Sequence, residues 1–340
     1  MDRVTVGVLG TGVIVRDYHM PCLRSNPKAE VVAVGNLHTD SLQAMATDLR
    51  IPKIYDDFEV MARDEEIDAV VVALPNYLHA PVTIQMLEAG KHVLCEKPMA
   101  MSVAEAEEMI EASRRSGSKL MIAHMWRFDR EVLWLRNLVA SGTLGKVIKA
   151  KSHALWLYEG PQPDSWFAQR RFSGGGALAD MGIHSIDTLR FVLGGARPTK
   201  VFANVGTHFE QIELEDTATL LIEFEGGVAA LVEAGWYHLY GDGLEGYTQV
   251  YGTKGYARAL PSELHTHVEG VWSVTDPVMP KRSQQCDLPM YQDQMDHFLT
   301  SILTDSQPSA SGEDGLWAMR VLEAAYRSAE SGEAVSIEAD

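Results

Sequence analysis

Val4-Thr5-Val6-Gly7-Val8-Leu9-Gly10-Thr11-Gly12-Val13-Ile14-Val15 reads as a short β-branched strand running into a glycine turn. The residues after Gly12 can carry a helix as far as Ser25, which makes a first βα unit. The same rhythm continues outward from it. Val31–Val34 predicts a second strand, and Asp40–Leu49 a helix with Thr39 or Asp40 as its cap. Ala69–Leu74 is almost purely Val and Ala, as in a strand covered on both faces, and Val82–Ala89 predicts a helix ending at Gly90. Val93 and Leu94 form another strand, Val103–Ser116 a helix closed by Gly117, and Leu120–Ala123 one more strand. Strands alternating with helices over some 120 residues predict an α/β fold with a doubly wound parallel sheet.

Beyond Ala123 the pattern changes. A helix over Arg130–Ser141 leads into strand-like stretches at Lys146–Leu157, Val201–Val205, Thr217–Phe224, Val228–Ala234 and Tyr247–Tyr251. They are joined by turns such as Glu225-Gly226-Gly227, so an α+β domain with an open, mostly antiparallel sheet is expected. The division expected is a parallel-sheet domain over residues 1–123 and an α+β domain over 124–340. An amphipathic helix over Leu316–Ser331 is suited to pack back on either domain.

The 340 residues carry 29 Lys and Arg against 47 Asp and Glu, a formal net charge of -18, which sets them against a polyphosphate duplex. Nucleic acid is not expected as a partner. The three cysteines, Cys22, Cys95 and Cys286, fall in no CxxC arrangement, so neither a disulfide framework nor a zinc knuckle is expected and a reducing cytoplasm is. The longest uncharged stretch, Ala69–Leu87, carries Pro75, Asn76, His79, Pro81 and Gln85, which a lipid-facing helix does not tolerate. Val4–Val15 lacks the basic flank of a secretion signal and is broken by glycines, so it reads as strand and turn.

Four sets of residues carry chemistry. In the first turn, Gly10 permits a tight bend and Gly12 lets backbone approach a pyrophosphate at a helix N-terminus, with Val13 and Ile14 beside them. Val15 stands where the fingerprint has a third Gly or Ala, so an ordinary strand-turn-helix stays open. At the end of the second strand, where a carboxylate usually meets the adenosine ribose, the chain has Asn36, followed by Leu37 and His38. NAD and NADP both remain open there, with NAD favoured because no Lys or Arg is close by. Cys95-Glu96-Lys97-Pro98 follows a parallel strand, and Pro98 keeps Lys97 out of helical geometry, which suits either a directed cation or a surface turn. The fourth set is Gly174-Gly175-Gly176 followed by a helix over Ala179–Leu193. Its Asp180 and His184 are four residues apart on one face, with Asp187 extending the line, an arrangement suited to acid/base work or to a plain helix-stabilising pair. A metal half-site is discounted for want of further ligands. His153, Trp156, Tyr158, Trp166, Phe167, Trp236, Tyr237, His238 and Tyr240 are rings suited to sugar stacking or to packing, and Arg170 and Arg171 to substrate contact or to surface loops.

Taken in order, the Gly10–Gly12 turn, Leu74-Pro75-Asn76-Tyr77-Leu78-His79, Gly90 through Glu96-Lys97-Pro98, Arg127-Phe128-Asp129, Asp180 through His184, and Gly252-Thr253-Lys254-Gly255 resemble the Gfo/Idh/MocA oxidoreductase family. The resemblance implies a Rossmann domain followed by an open sheet that mediates homodimers or homotetramers. It also implies that Lys97, Asp180 and His184 serve the nicotinamide end. His184 would accept the proton of a substrate hydroxyl, Lys97 would stabilise the alkoxide, and Asp180 would orient substrate or imidazole. Leu74, Asn76, His79, Glu96 and Arg127 would lie along the cofactor, and Trp126, Trp166 and Arg170 toward the substrate. The activity expected is oxidation of a secondary hydroxyl of a sugar, anhydrosugar, cyclitol or sugar derivative, or the reverse reduction, with NAD or NADP and no metal. Within the same resemblance stand a redox-neutral glycosidase with tightly held NAD and a non-catalytic nucleotide-sensing regulator.

Overall fold

The computed structural model describes residues 3–37, 39–157, 161–209, 212–236, 246–277 and 287–338. The chain forms two compact units, Met1–Met125 with Leu288–Leu316, and Trp126–Asp287 with Trp317–Asp340. In the first unit the strands are β1 (Val4–Leu9), β2 (Ala29–Gly35), β3 (Lys53–Tyr55), β4 (Ala69–Val72), β5 (His92–Cys95) and β6 (Leu120–Ile122). They pair in parallel in the order β3-β2-β1-β4-β5-β6. The order reverses between β1 and β4, so the carboxyl ends of those two strands flank the crevice where such sheets take ligands. The helices are a π turn over Val15–His19 continued by α1 (Met20–Ser25), then α2 (Thr39–Leu49), α3 (Phe58–Ala62), α4 (His79–Glu88) and α5 (Val103–Ser116).

Sequence cues explain most of these boundaries. Ser102 caps α5 by accepting from the Glu105 N–H, and Gly117 ends it in the left-handed region. The helix expected from Val82 starts three residues earlier, at His79, because Pro81 falls in the first turn, where a missing N–H costs nothing. Val15 is fully buried, and the helix widens to a π turn where this bulky residue replaces the small one.

The second unit begins with α6 (Arg130–Ala140), capped by Asp129, and continues through β7 (Val147–Leu155), α7 (Arg170–Ser173) and α8 (Ile183–Val192). Then come β8 (Pro198–Gly206), β9 (Thr217–Phe224), β10 (Val228–Gly235), β11 (Gly246–Gly252), β12 (Gly255–Ala259), β13 (Glu263–Val268) and β14 (Val271–Thr275). Alternate residues of β9 are buried and exposed, so one face of this sheet meets the core and the other does not. β7 and β10 pair in parallel, and the remaining neighbours are antiparallel. α8 lies against β7, β10 and β11 on the buried face.

Late in the chain come α9 (Leu288–Leu303), α10 (Gly312–Ser331) and β15 (Val335–Ser336). β15 pairs with β8 and completes the sheet order β14-β13-β12-β11-β7-β10-β9-β8-β15. α9 lies against β1 and α1, so residues 288–316 group with the first unit. No helix among the described residues is long and apolar enough to cross a membrane.

Candidate active site

In the first unit the glycine turn is shaped for a close ligand. Gly10 has φ of +109°, and a Cβ there would sit 2.1 Å from the Ala73 carbonyl oxygen, so no other residue fits. A Cβ on Gly12 would meet nothing within 4 Å, and the helix starts at its carbonyl, which accepts from the Arg16 N–H at 3.0 Å. The turn therefore offers open backbone at a helix N-terminus, as a pyrophosphate requires. Val13 is exposed beside it and Ile14 half-buried.

Asn36 follows β2 directly and is nearly buried. Its Nδ2 donates to Thr11 Oγ1 at 2.6 Å and to Ser41 Oγ at 3.3 Å, and its Oδ1 accepts from the Leu37 N–H at 2.9 Å. The Thr11 and Ser41 hydroxyls are 2.9 Å apart. This end of the sheet thus presents two hydroxyls and a carboxamide, while His38 lies outside the described residues.

At the end of β5 the residues around Lys97 are pinned. Glu96 Oε1 is 2.7 Å from His19 Nε2, and Glu96 Oε2 accepts from the Lys97 N–H at 3.1 Å. Burial pushes the Glu96 carboxyl up, yet the His19 hydrogen bond and the charges of His19 and Lys97 outweigh it and hold it below the usual carboxylate range. Lys97 itself is half-buried. His79 Nδ1 is 2.7 Å from the Pro98 carbonyl oxygen and its Nε2 is 2.8 Å from that of Leu74. Burial lowers the imidazole below its ordinary value, against the pull of the two carbonyls and of Glu96. The neutral ring has one N–H to give, and only the imidazolium serves both carbonyls. Leu74 and Asn76 are buried in the same loop. The Cys22 and Cys95 thiols are buried, which pushes each up to about 12, so neither is poised as a nucleophile.

In the second unit a glycine loop and a π turn over Leu178–Gly182 lead into α8. Glu215 organises the loop: its Oε1 accepts from the Gly176 N–H at 2.8 Å, the Leu178 N–H at 3.2 Å and the Tyr326 hydroxyl at 2.7 Å. A Cβ on Gly176 would sit 2.0 Å from the Glu215 carbonyl oxygen, so the loop closes only on glycine. Asp180 lies in the π turn, and its Oδ2 accepts from the Trp236 indole N–H at 3.1 Å. Trp236, which the sequence leaves open to sugar stacking or to packing, is fully buried and packed, with its indole N–H turned to Asp180. His184 begins the α-helical part, its ring stacked on Trp126 with centroids 5.1 Å apart and planes 24° apart. One turn on, Asp187 receives both arms of Arg127, Nε to Oδ2 at 2.8 Å and Nη2 to Oδ1 at 2.6 Å, and that guanidinium lies 5.1 Å from the Phe191 ring centre. The adjacent residues Trp126 and Arg127 thus grip one face of α8 at His184, Asp187 and Phe191.

Trp166 is partly exposed and packs on Phe167, which in turn meets Trp236. Arg170 lies over the Tyr326 ring with Nη2 3.4 Å from Glu215 Oε2, and with Arg171 it lines an open cleft bounded by Pro163, Ile212 and Glu213. His153 is buried edge-on to Tyr247 and Trp156 is exposed, while Tyr158, Tyr237, His238 and Tyr240 lie outside the described residues. Among the described residues no group of three or more His, Cys, Asp or Glu is placed to hold a metal ion. Motifs exposed Lys97, Asp180 and His184; Glu215, His19 and the indole of Trp236 gave no local signal, since each acts on a partner far along the chain.

A parallel sheet with an open glycine turn at its switch point, and a separate unit holding an ordered carboxylate and imidazole on one helix, define a dinucleotide-binding oxidoreductase class. Residues 4–124 match the family described as oxidoreductase family, NAD-binding Rossmann fold, and residues 132–258 match the GFO/IDH/MocA C-terminal domain. The chain is 30% identical to 1,5-anhydro-D-fructose reductase of Ensifer adhaerens, over 98% of each chain, and 29% identical to myo-inositol 2-dehydrogenase of Thermotoga maritima, again over 98% of each. Among solved structures it is similar to an aldose-aldose oxidoreductase from Caulobacter crescentus complexed with glycerol, with a TM-score of 0.85, 29% identity and coverage of 98% and 99%. The chain belongs to the Gfo/Idh/MocA family of NAD-binding oxidoreductases.

Proposed function

We propose that the protein oxidises a secondary hydroxyl of a sugar, anhydrosugar or cyclitol, or runs the reverse reduction, with His184 as general base. The observation that carries this reading is the fixing of His184 and Asp180 by two buried indoles, since acid/base groups held in place are what proton transfer needs. Bound NAD or NADP supplies the hydride acceptor. Gly10, Gly12, Val13 and Ile14 would hold its pyrophosphate, Thr11, Asn36 and Ser41 would face its ribose, and Leu74, Asn76 and Glu96 would line its path, the His79 ring being turned to the Pro98 and Leu74 carbonyls. His184 takes the hydroxyl proton, Lys97 stabilises the oxygen as negative charge grows on it, and Asp180 orients the hydroxyl. Trp166 and Arg170 lie toward the substrate. The names of the relatives, a reductase of an anhydrosugar and a dehydrogenase of an inositol, support this substrate class.

The test is nicotinamide absorbance during incubation with NAD or NADP and a panel of sugars, anhydrosugars, inositols and sugar acids. Reduced cofactor should grow on at least one of them. Silence in a protein that binds cofactor would reject the dehydrogenase reading in favour of a redox-neutral glycosidase or a nucleotide sensor.

Asn36→Asp should shift preference toward NAD by roughly tenfold or more, the equivalent of about 1.4 kcal/mol. An Asp there still accepts from the Leu37 N–H and accepts from a Thr11 or Ser41 hydroxyl where the Asn36 amide donates, so the substitution adds a charge while keeping local partners. Equal kcat/KM ratios for the two cofactors before and after would remove Asn36 from the ribose.

Self-association is assigned to the uncovered face of the second sheet. Phe202 and Leu221 face each other on β8 and β9, 45% and 47% exposed, with Leu231 opposite Leu221 on β10. A row of apolar side chains across three strands is stable in water when a second copy covers it. Leu221→Lys should reduce a dimer or tetramer to a smaller species by light scattering at unchanged helix content; an unchanged mass would move the interface elsewhere.

A further inference from the structure

Lys97 sits between two residues that are each tied to a buried histidine from a different part of the first unit. On its amino side, Glu96 is held by His19, which follows the glycine turn, and Glu96 in turn accepts the Lys97 N–H. On its carboxyl side, the Pro98 carbonyl lies 2.7 Å from Nδ1 of His79, the first residue of α4. His79 is almost wholly buried and both its ring nitrogens are occupied by backbone oxygens, so the ring is committed within the protein. It opens the helix that follows β4, the strand that pairs with β5, so its contact links that βα connection to the one that carries Lys97.

From this geometry we infer that His79 is a positioning residue: its Nδ1–H holds the Pro98 carbonyl and through it fixes the backbone from which Lys97 projects. The inference rests on the catalytic role proposed for Lys97. A charge that must meet a growing alkoxide works only when its origin is fixed, and a misplacement of about 1 Å can cost on the order of a hundredfold in rate. The Leu74 carbonyl, 2.8 Å from the unprotonated Nε2, belongs to the other loop and does not touch the lysine's backbone. The two ring nitrogens therefore have separable consequences.

Asn and Gln separate them, because the Asn side-chain nitrogen falls near the place of Nδ1 and that of Gln near Nε2. His79→Asn keeps the donor to Pro98 and should lose at least about tenfold less of kcat than His79→Gln. His79→Gln moves the donor to the Leu74 side, leaves the Pro98 carbonyl without one, and should lose about 10- to 100-fold in kcat with a much smaller change in cofactor affinity. Placed on Lys97→Met, His79→Gln should add little further loss, since a residue that acts through the lysine has nothing left to position. Equal losses in the Asn and Gln variants, or full additivity on Lys97→Met, would make His79 a general support of the fold and overturn the assignment.

A readout without substrate keeps this apart from the function itself. Amide hydrogen exchange at Lys97 and Met99, measured on the full chain, should quicken about tenfold or more in His79→Gln and stay near the original rate in His79→Asn. If the unsubstituted protein turns over nothing in the panel while the exchange contrast holds, the catalytic reading fails and the tether stands. If exchange is the same in all three proteins, the tether fails whatever the activity.

Discussion

Replacing His184 with Ala is expected to lower turnover by about two to four orders of magnitude, while affinity for NAD or NADP stays close to that of the unsubstituted protein. The ring is buried against the Trp126 indole in the second unit, whereas the glycine turn proposed to hold the pyrophosphate belongs to the first. On the proposed roles, its loss removes the proton acceptor and leaves the glycine turn intact. Steady-state kinetics with the best substrate from the panel, paired with a fluorescence titration of NADH, separates the two effects. His184→Asn serves as the volume control, since it leaves less space beside Trp126 than Ala does. A fall in kcat shared by Ala and Asn, at unchanged cofactor affinity, is the signature of a lost base. Retention of full activity in either variant would end the assignment of His184.

Where local chemistry decides conformation, the sequence was readable. β9 was expected over the residues it occupies, because alternation of apolar and polar residues leaves one register for a half-buried strand. The end of α5 at Gly117 was equally plain. The edge strand β3 is only three residues long, and β13 and β14 bury no alternating face, so hydrophobic pattern carries little signal there. α9 has helical spacing in Met290, Tyr291, Met295, Phe298 and Leu299, but its destination against β1 and α1 is a property of the tertiary fold alone. The parallel pairing of β7 with β10, in a sheet that otherwise runs antiparallel, belongs to the same class.

The site divides along the same line. Lys97, Asp180 and His184 stand in motifs that carry the family resemblance, and it is the resemblance that implies the chemistry proposed for them. What holds them is not legible in this way, because the holding pairs are 77 residues apart for His19 and Glu96, 60 for Arg127 and Asp187, and 56 for Asp180 and Trp236. A tryptophan reads as a ring until the fold turns its N–H toward a carboxylate. An arginine near a motif reads as a ligand contact until the fold buries a carboxylate beneath it.

That buried pair gives the largest stability effect expected. Arg127 and Asp187 are 3% and 2% exposed, and the guanidinium meets the carboxylate through two N–H groups. Two charges taken out of water gain little net stability as a pair, but removing one leaves the other without its counter-charge in a medium that cannot solvate it. Arg127→Met should therefore cost about 3 to 5 kcal/mol. In thermal unfolding that corresponds to a fall on the order of 10 °C in the transition of the second unit. The compensating substitution supplies the control. Asp187→Leu placed on Arg127→Met removes the stranded carboxylate and fills the space with apolar atoms, so it should recover most of the lost stability. Activity should not recover with it, because Trp126 and Arg127 grip the helix face that presents His184, and an apolar pair lacks the fork that sets the register of that face. Stability restored together with full activity would show that the pair only fills space; stability restored without activity would show that its geometry serves the imidazole one turn away.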